Sequence, residues 1–250
     1  MLIQDKDTLD RFVNLLPDLK EDEIFFLSCS ARNKYLTEEE RIEYKLSRTE
    51  MFSRETSRDK EGIYKALQRM EVSLQYRKTG NGKDIPEKCI VVYMNINPSS
   101  MIKSYLDFQN KINKEMEQVV MSFKNGNQPN YERLLRLPQQ LNNSIQVSQS
   151  RKYFIDIDID LYDITYKDML VDIVKEFVGN NAFGEKLNFI STKSGIHLLI
   201  KKDDIPFKYN LMSLVERIRA FNPVKEAEFN KNNMLPTPGT GQANHVVRFM

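Results

Sequence analysis

Tyr153-Phe154-Ile155-Asp156-Ile157-Asp158-Ile159-Asp160 alternates apolar and acidic residues over its last six positions. An alternation of period two predicts a β-strand. Phe154, Asp156, Asp158 and Asp160 then share one face, and Ile155, Ile157 and Ile159 point the other way, into a core. Aspartate is depleted in strands, and carboxylates in line on one face repel each other. A chain tolerates such a face at a solvated edge, or where the carboxylates hold a cation. Oxygen-only ligands of this kind suit Mg²⁺ or Mn²⁺.

Further on, Asn188-Phe189-Ile190-Ser191-Thr192-Lys193-Ser194-Gly195-Ile196-His197-Leu198-Leu199-Ile200 reads as an apolar strand, a short polar turn and a second apolar strand. The turn offers a hydroxyl at Ser191, a cation at Lys193, a flexible joint at Gly195 and an imidazole at His197. Hydroxyl, ammonium and imidazole all suit phosphate oxygens, and glycine lets backbone approach a ligand. A third stretch closes the chain. Glu226 and Glu228 are two apart and share a strand face, Thr237-Pro238-Gly239-Thr240 marks a tight turn, and His245 and Arg248 flank Val246-Val247.

Taken in order, these three stretches resemble the catalytic domain of the archaeo-eukaryotic primase superfamily, the primase-polymerases. Asp156 and Asp158 match its Asp-x-Asp motif. Ser191, Lys193, Gly195 and His197 match its second motif. Glu226 or Glu228, with the Thr237–Thr240 loop, matches its third, Glu226 being favoured by its distance from that loop. The likeness covers residues 150–250. It implies template-dependent nucleotidyl transfer, with two Mg²⁺ or Mn²⁺ ions on Asp156, Asp158 and Glu226. It implies a triphosphate held by Ser191, Lys193, His197 and Arg248, and as partners a DNA template, NTP or dNTP substrates, and a replicative helicase or accessory module. The chain departs from the family in having Glu for the third Asp and Gln242 where members often carry His. Cys29 and Cys89 are too few and too far apart for a Cys₄ zinc module, so no zinc is expected. A non-catalytic replication-initiation or nucleic-acid-binding relative, or a metal-dependent nuclease, would use the same residues.

Net charge of +2 across 37 basic and 35 acidic residues means that any nucleic-acid track must come from segregated charge. Arg32 and Lys34 after a buried strand, and Arg77 and Lys78 in a Gly-rich loop, are the candidates. Two separated cysteines imply a reducing compartment. The N-terminus lacks the pattern of a signal peptide, and no apolar run reaches membrane-spanning length. The expectation is a cytoplasmic, nucleoid-associated protein, and the abundance of Asn, Lys and Ile suggests an AT-rich genome such as that of a phage or mobile element.

The fold expected is α/β (α+β) and two-lobed. Residues 1–123 form an N-terminal lobe with a helix over 7–17, a strand over 23–30, helix through 37–76, a strand over 89–97 and a helix over 99–122. Residues 124–150, rich in Asn, Gln and Pro, join the lobes. Residues 151–250 read as strand, helix, strand, strand, helix, strand, the βαββαβ order of RRM-like and ferredoxin-like domains. Thr37-Glu38-Glu39-Glu40 is expected to start its helix with a capping box, and Thr165 to cap the first helix of residues 151–250.

Overall fold

The computed structural model describes residues 1–179 and 183–250, and of Arg133 the backbone alone. The chain is a mixed α/β fold of two antiparallel sheets. Its first part runs α1 (Lys6–Leu15), β1 (Glu23–Arg32), α2 (Glu38–Tyr44), β2 (Thr49–Ser57), α3 (Lys60–Gln75), β3 (Ile90–Asn95), β4 (Ser99–Ser100), α4 (Met101–Lys124), α5 (Glu132–Leu135) and α6 (Leu137–Val147). The second part runs β5 (Phe154–Leu161), α7 (Lys167–Val178), β6 (Asn188–Ser191), β7 (Gly195–Lys201), α8 (Leu211–Arg219), β8 (Val224–Phe229), β9 (Met234–Pro236), β10 (Gly241–Gln242), β11 (His245–Val246) and β12 (Arg248–Phe249).

The βαββαβ order is present as β5-α7-β6-β7-α8-β8, and its sheet has the order β12-β6-β7-β5-β8. Ile157 and Ile159 pack with Ile196, Leu198 and Ala227 under Leu170 and Val174 of α7 and Leu214, Val215 and Ile218 of α8. The aspartate face of β5 is turned away from these helices and toward the first sheet. Phe154, Ile190, Leu199 and Val247 on that side join one core with Phe12, Phe25, Leu67 and Met94. The helix-capping expectation held for Thr37, whose hydroxyl accepts from Glu40 N. It failed for Thr165: Tyr166 precedes α7 without a side-chain cap, and Asp163 caps the turn before it.

Two further expectations differ from the structure, and the joining segment gains detail. Residues 37–76 are not helical throughout, because β2 lies between α2 and α3 and pairs along β1. Its sequence, Thr49 to Ser57, is mostly polar and lies at the sheet edge, so no apolar alternation marks it. The joining segment is helical: α6 packs on α4, and Ile145 reaches a core with Ile24, Phe26 and Met234. The last stretch is shared between the sheets. β9 and β10 pair with β3, β11 pairs with β10, and only β12 returns to the second sheet against β6.

What joins the sheets at the start of β5 is a buried amide network. Asn97 Oδ1 accepts from the backbone N–H groups of Tyr153 and Phe154, both at 2.6 Å, and its Nδ2 donates to Phe154 O at 3.0 Å and to Asn233 Oδ1 at 2.8 Å. Asn233, in the left-handed region at φ 56°, donates its Nδ2 back to Asn97 O at 2.8 Å. A second tie lies beside it: Arg151 Nε reaches Glu23 Oε1 at 3.0 Å, with Glu23 fully buried. Buried backbone groups stripped of their partners cost about 1–3 kcal/mol each. Asn97→Ala is therefore expected to destabilise the protein by about 3 kcal/mol or more, read as a lower midpoint in urea denaturation. Asn97→Asp, which keeps the acceptor and loses the donor, should fall between the two.

Candidate active site

Strand register decides which side chains meet. Asp158 lies directly across from His197 on β7 and from Glu228 on β8, and Asp160 lies across from Gly195 and Glu226. All share the face turned toward the first sheet. There, a cleft of ≈ 330 Å³ is lined from the second sheet by Asp158, Asp160, Thr192, Ser194 and His197, and from the first by Ser28, Ser30, Arg32, Lys34 and Tyr93. Gln146 of α6 and Asn230, Met234 and Pro236 after β8 also line it.

Asp156 is not an open ligand. Its side chain is 2% exposed, His197 Nδ1 lies 3.0 Å from its Oδ1, and Asn230 Nδ2 donates to its Oδ2 at 2.6 Å. His197 Nε2 stands 3.4 Å from Asp158 Oδ1, so the ring is strung between two carboxylates. Burial works against a charged imidazole here, but the charge and hydrogen bond of Asp156, with help from Asp158 and Asp160, outweigh it and raise the group to about 9. Asp158 is pushed up from the usual carboxylate range, first by desolvation and then by Asp156, Asp160 and Glu228, with His197 opposing. Across the cleft, desolvation and Arg32 lower Lys34, while Asp160 and Asp158 oppose that. Arg32 Nη1 donates to the Tyr93 hydroxyl at 2.8 Å, and its Nε is buried without a partner.

The expected residues are thus divided. Asp158, His197, Arg32 and Lys34 meet in the cleft, and Asp156 stands behind His197. Glu228 faces Asp158 in register, whereas Glu226, favoured by spacing, faces Asp160, one pleat away. Ser191 pairs with Ile196 and Arg248 pairs with Ser191, which sets both on the helix-covered side of the sheet, opposite His197. Lys193 is exposed in the turn, its N–H held by Gln242 Oε1 at 2.8 Å, and Gln242 in turn donates to Tyr35 at 2.9 Å. Gly195 serves packing rather than ligand approach: a Cβ there would sit 1.9 Å from Ile159 O. The Pro238-Gly239 turn packs against the N-terminal segment, with Gly239 O accepting from Gln4 N and Asp5 N. Arg77 and Lys78 do not line the cleft, and Lys78 pairs with Asp84.

Asn230, Tyr93, Gln146 and Asp160 complete the site without having been singled out for it. Only Asp160 carried a signal, the alternation it shares with Asp156 and Asp158. The donors facing the cleft are hard oxygens, whose chemistry fits Mg²⁺ or Mn²⁺, and a cation would relieve the mutual repulsion around Asp158. Among the described residues, however, no three His, Cys, Asp or Glu side chains already stand gathered as a metal-holding group. No helix among the described residues is long and apolar enough to cross a membrane.

The fold and site together define a mixed α/β protein with an acidic strand face across a cleft from a basic one. No family model, curated protein or solved structure matches the chain.

A group whose pKa is raised on folding stabilises the fold fully below its unfolded value and loses that contribution as pH climbs through the folded one. For His197 the window runs from 6.5 to about 9. With chelator present, stability should fall across that window, by roughly 3 kcal/mol at most. His197→Gln should flatten the fall in a series of thermal melts.

Proposed function

We propose that this chain is a template-dependent nucleotidyltransferase of the primase or primase-polymerase kind, and that the cleft between its sheets is the catalytic centre. The observation that carries the proposal is the meeting, across one cleft, of Asp158, Asp160 and His197 with Arg32 and Lys34. The βαββαβ order of the second sheet and the order of the three sequence motifs support it. Magnesium or manganese, held by Asp158, Asp160 and Glu228, would neutralise charge at the transferring phosphate and ease deprotonation of the attacking hydroxyl.

The chain's own residues have separable tasks. Asp156 and Asn230 fix the ring of His197, so that Nε2 is the nitrogen directed at Asp158 and the cleft. Kept charged by its carboxylates, that nitrogen offers a fixed N–H to a phosphate oxygen, a stronger contact than a neutral donor makes. Arg32 lines the same cleft with its Nη1 held on the Tyr93 hydroxyl, and sets a second cation there for an anionic ligand. Lys34 adds a cation whose lowered pKa reflects a site short of water. Tyr93 and Arg32 form a wall against which a base or sugar can rest.

The test is incubation with a DNA template, labelled NTPs or dNTPs, and Mg²⁺ or Mn²⁺. Polymer supports the proposal, binding without incorporation points to a non-catalytic relative, and degradation of the template points to a hydrolase. Asp158→Asn and Asp160→Asn should each lower incorporation by about a hundredfold or more with melting temperature unchanged or higher, since each removes a repelling charge. Asp156→Asn should lower the melting temperature as well, because His197 loses its counter-charge. Glu228→Gln should cost more rate than Glu226→Gln, and the reverse order would move the third carboxylate to the site opposite Asp160.

A further inference from the structure

The 24-residue helix α4 has one fully buried residue, Ser104. One side of α4 packs on α6, where Lys111 Nζ donates to Ser144 Oγ at 3.0 Å. Ser104, two turns before Lys111, shares that side. The other side carries a stripe. Ile102, Leu106, Gln109, Asn113, Met116, Val120 and Phe123 are spaced alternately by four and three residues. That is the period of the seam of a two-stranded coiled coil. All seven are exposed, and the five apolar ones are between 47% and 61% exposed. The stripe runs about 33 Å along the helix. An apolar face of that length in water marks an interaction surface.

We propose that this stripe is a homodimer seam, on which α4 of a second copy of this chain packs antiparallel. The stripe is complementary to itself in one register. With residue 111 on the two-fold axis, Leu106 meets Met116 of the second copy, Ile102 meets its Val120, and Gln109 meets its Asn113. Apolar thus meets apolar, and two side-chain amides, each a donor and an acceptor, meet each other. A single polar layer of this kind fixes register. Sliding by one heptad would set Asn113 against Met116 in one direction, or Gln109 against Leu106 in the other. Beside the seam, the matched register brings Lys103 to Glu117 of the second copy, twice by symmetry, and both positions are exposed. Lys103 Nζ donates to the carbonyls of Gln149 and Ser150 at 3.2 and 3.3 Å, which leaves one of its three N–H groups for a carboxylate. A parallel pair would keep Lys103 and Glu117 about 21 Å apart along the axis and lose this match. Charges flanking a seam set its orientation, so the antiparallel pair is favoured. The contact uses one surface twice and closes at two copies. It points away from α6, the helix that brings Gln146 to the cleft, so pairing does not depend on chemistry there.

Sedimentation equilibrium of the full chain over a wide range of concentration should show a reversible monomer–dimer equilibrium. Leu106→Glu and Val120→Glu should each weaken the dimer about thirtyfold or more, with the melting temperature at high dilution unchanged. Lys103→Glu or Glu117→Lys should weaken it about tenfold, and the two together should restore it. Within one chain these sites lie about 21 Å apart, so restoration can arise only between copies. Both native cysteines are buried, which leaves introduced ones to report on the seam. Leu106→Cys combined with Met116→Cys should form an intermolecular disulfide under mild oxidation. Leu106→Cys alone should not, because its counterpart lies about 15 Å along the axis. Cross-linking by Leu106→Cys alone would identify a parallel pair and overturn the proposal. A chain that stays monomeric, as it would if the stripe served a different protein, also overturns it, and so does a dimer indifferent to both glutamate substitutions.

Discussion

The side chain of Asn97 holds the two sheets in the relation that makes a cleft. Its carbonyl takes the N–H groups of Tyr153 and Phe154, and its amide gives protons to Phe154 and Asn233. These bonds set where β5 begins relative to β3, and so where each aspartate of β5 falls along the wall of the first sheet. A buried amide can do this because each of its polar atoms has a partner. An apolar residue in its place would fill the volume and leave the backbone groups of Tyr153 and Phe154 without acceptors. Met234 to Val246 reinforce the junction by leaving the second sheet and pairing with the first.

Within the cleft the dominant force is repulsion among carboxylates, answered differently along the strand. Asp156 is buried and answered by His197 and Asn230. Asp158 and Asp160 are both half-buried in the cleft; Asp158 shares the charge of His197, and Asp160 lines the cleft with the basic wall of Arg32 and Lys34. One repeated residue thus yields a positioning carboxylate and two open ones. The difference follows depth, since Asp156 is buried while Asp158 and Asp160 open onto the cleft.

Depth is what the alternation of β5 cannot express. The pattern in Phe154 to Asp160 correctly assigned a strand, its two faces and its core isoleucines. The helical periodicities placed α7 and α8, and hence the βαββαβ order. Legible too was the capping box at Thr37, whereas Gly195, read as room for a ligand, is required by the close approach of Ile159 O. The strand β2 was not legible, because a polar edge strand buries too little to carry an apolar period. Ser191 looked like a neighbour of His197 since both belong to one motif, but a hairpin turn between them puts them on opposite faces.

Local sequence, then, determined the elements and the residues able to do chemistry, because strand and helix periods depend on near neighbours along the chain. Tertiary structure alone decided which of those residues meet. Glu228 rather than Glu226 came to face Asp158 through the register of β5 with β8. Arg32 came to face Asp158 through the packing of two sheets whose strands lie far apart in sequence. Register and sheet packing are set by contacts distant along the chain, and no window of sequence contains them.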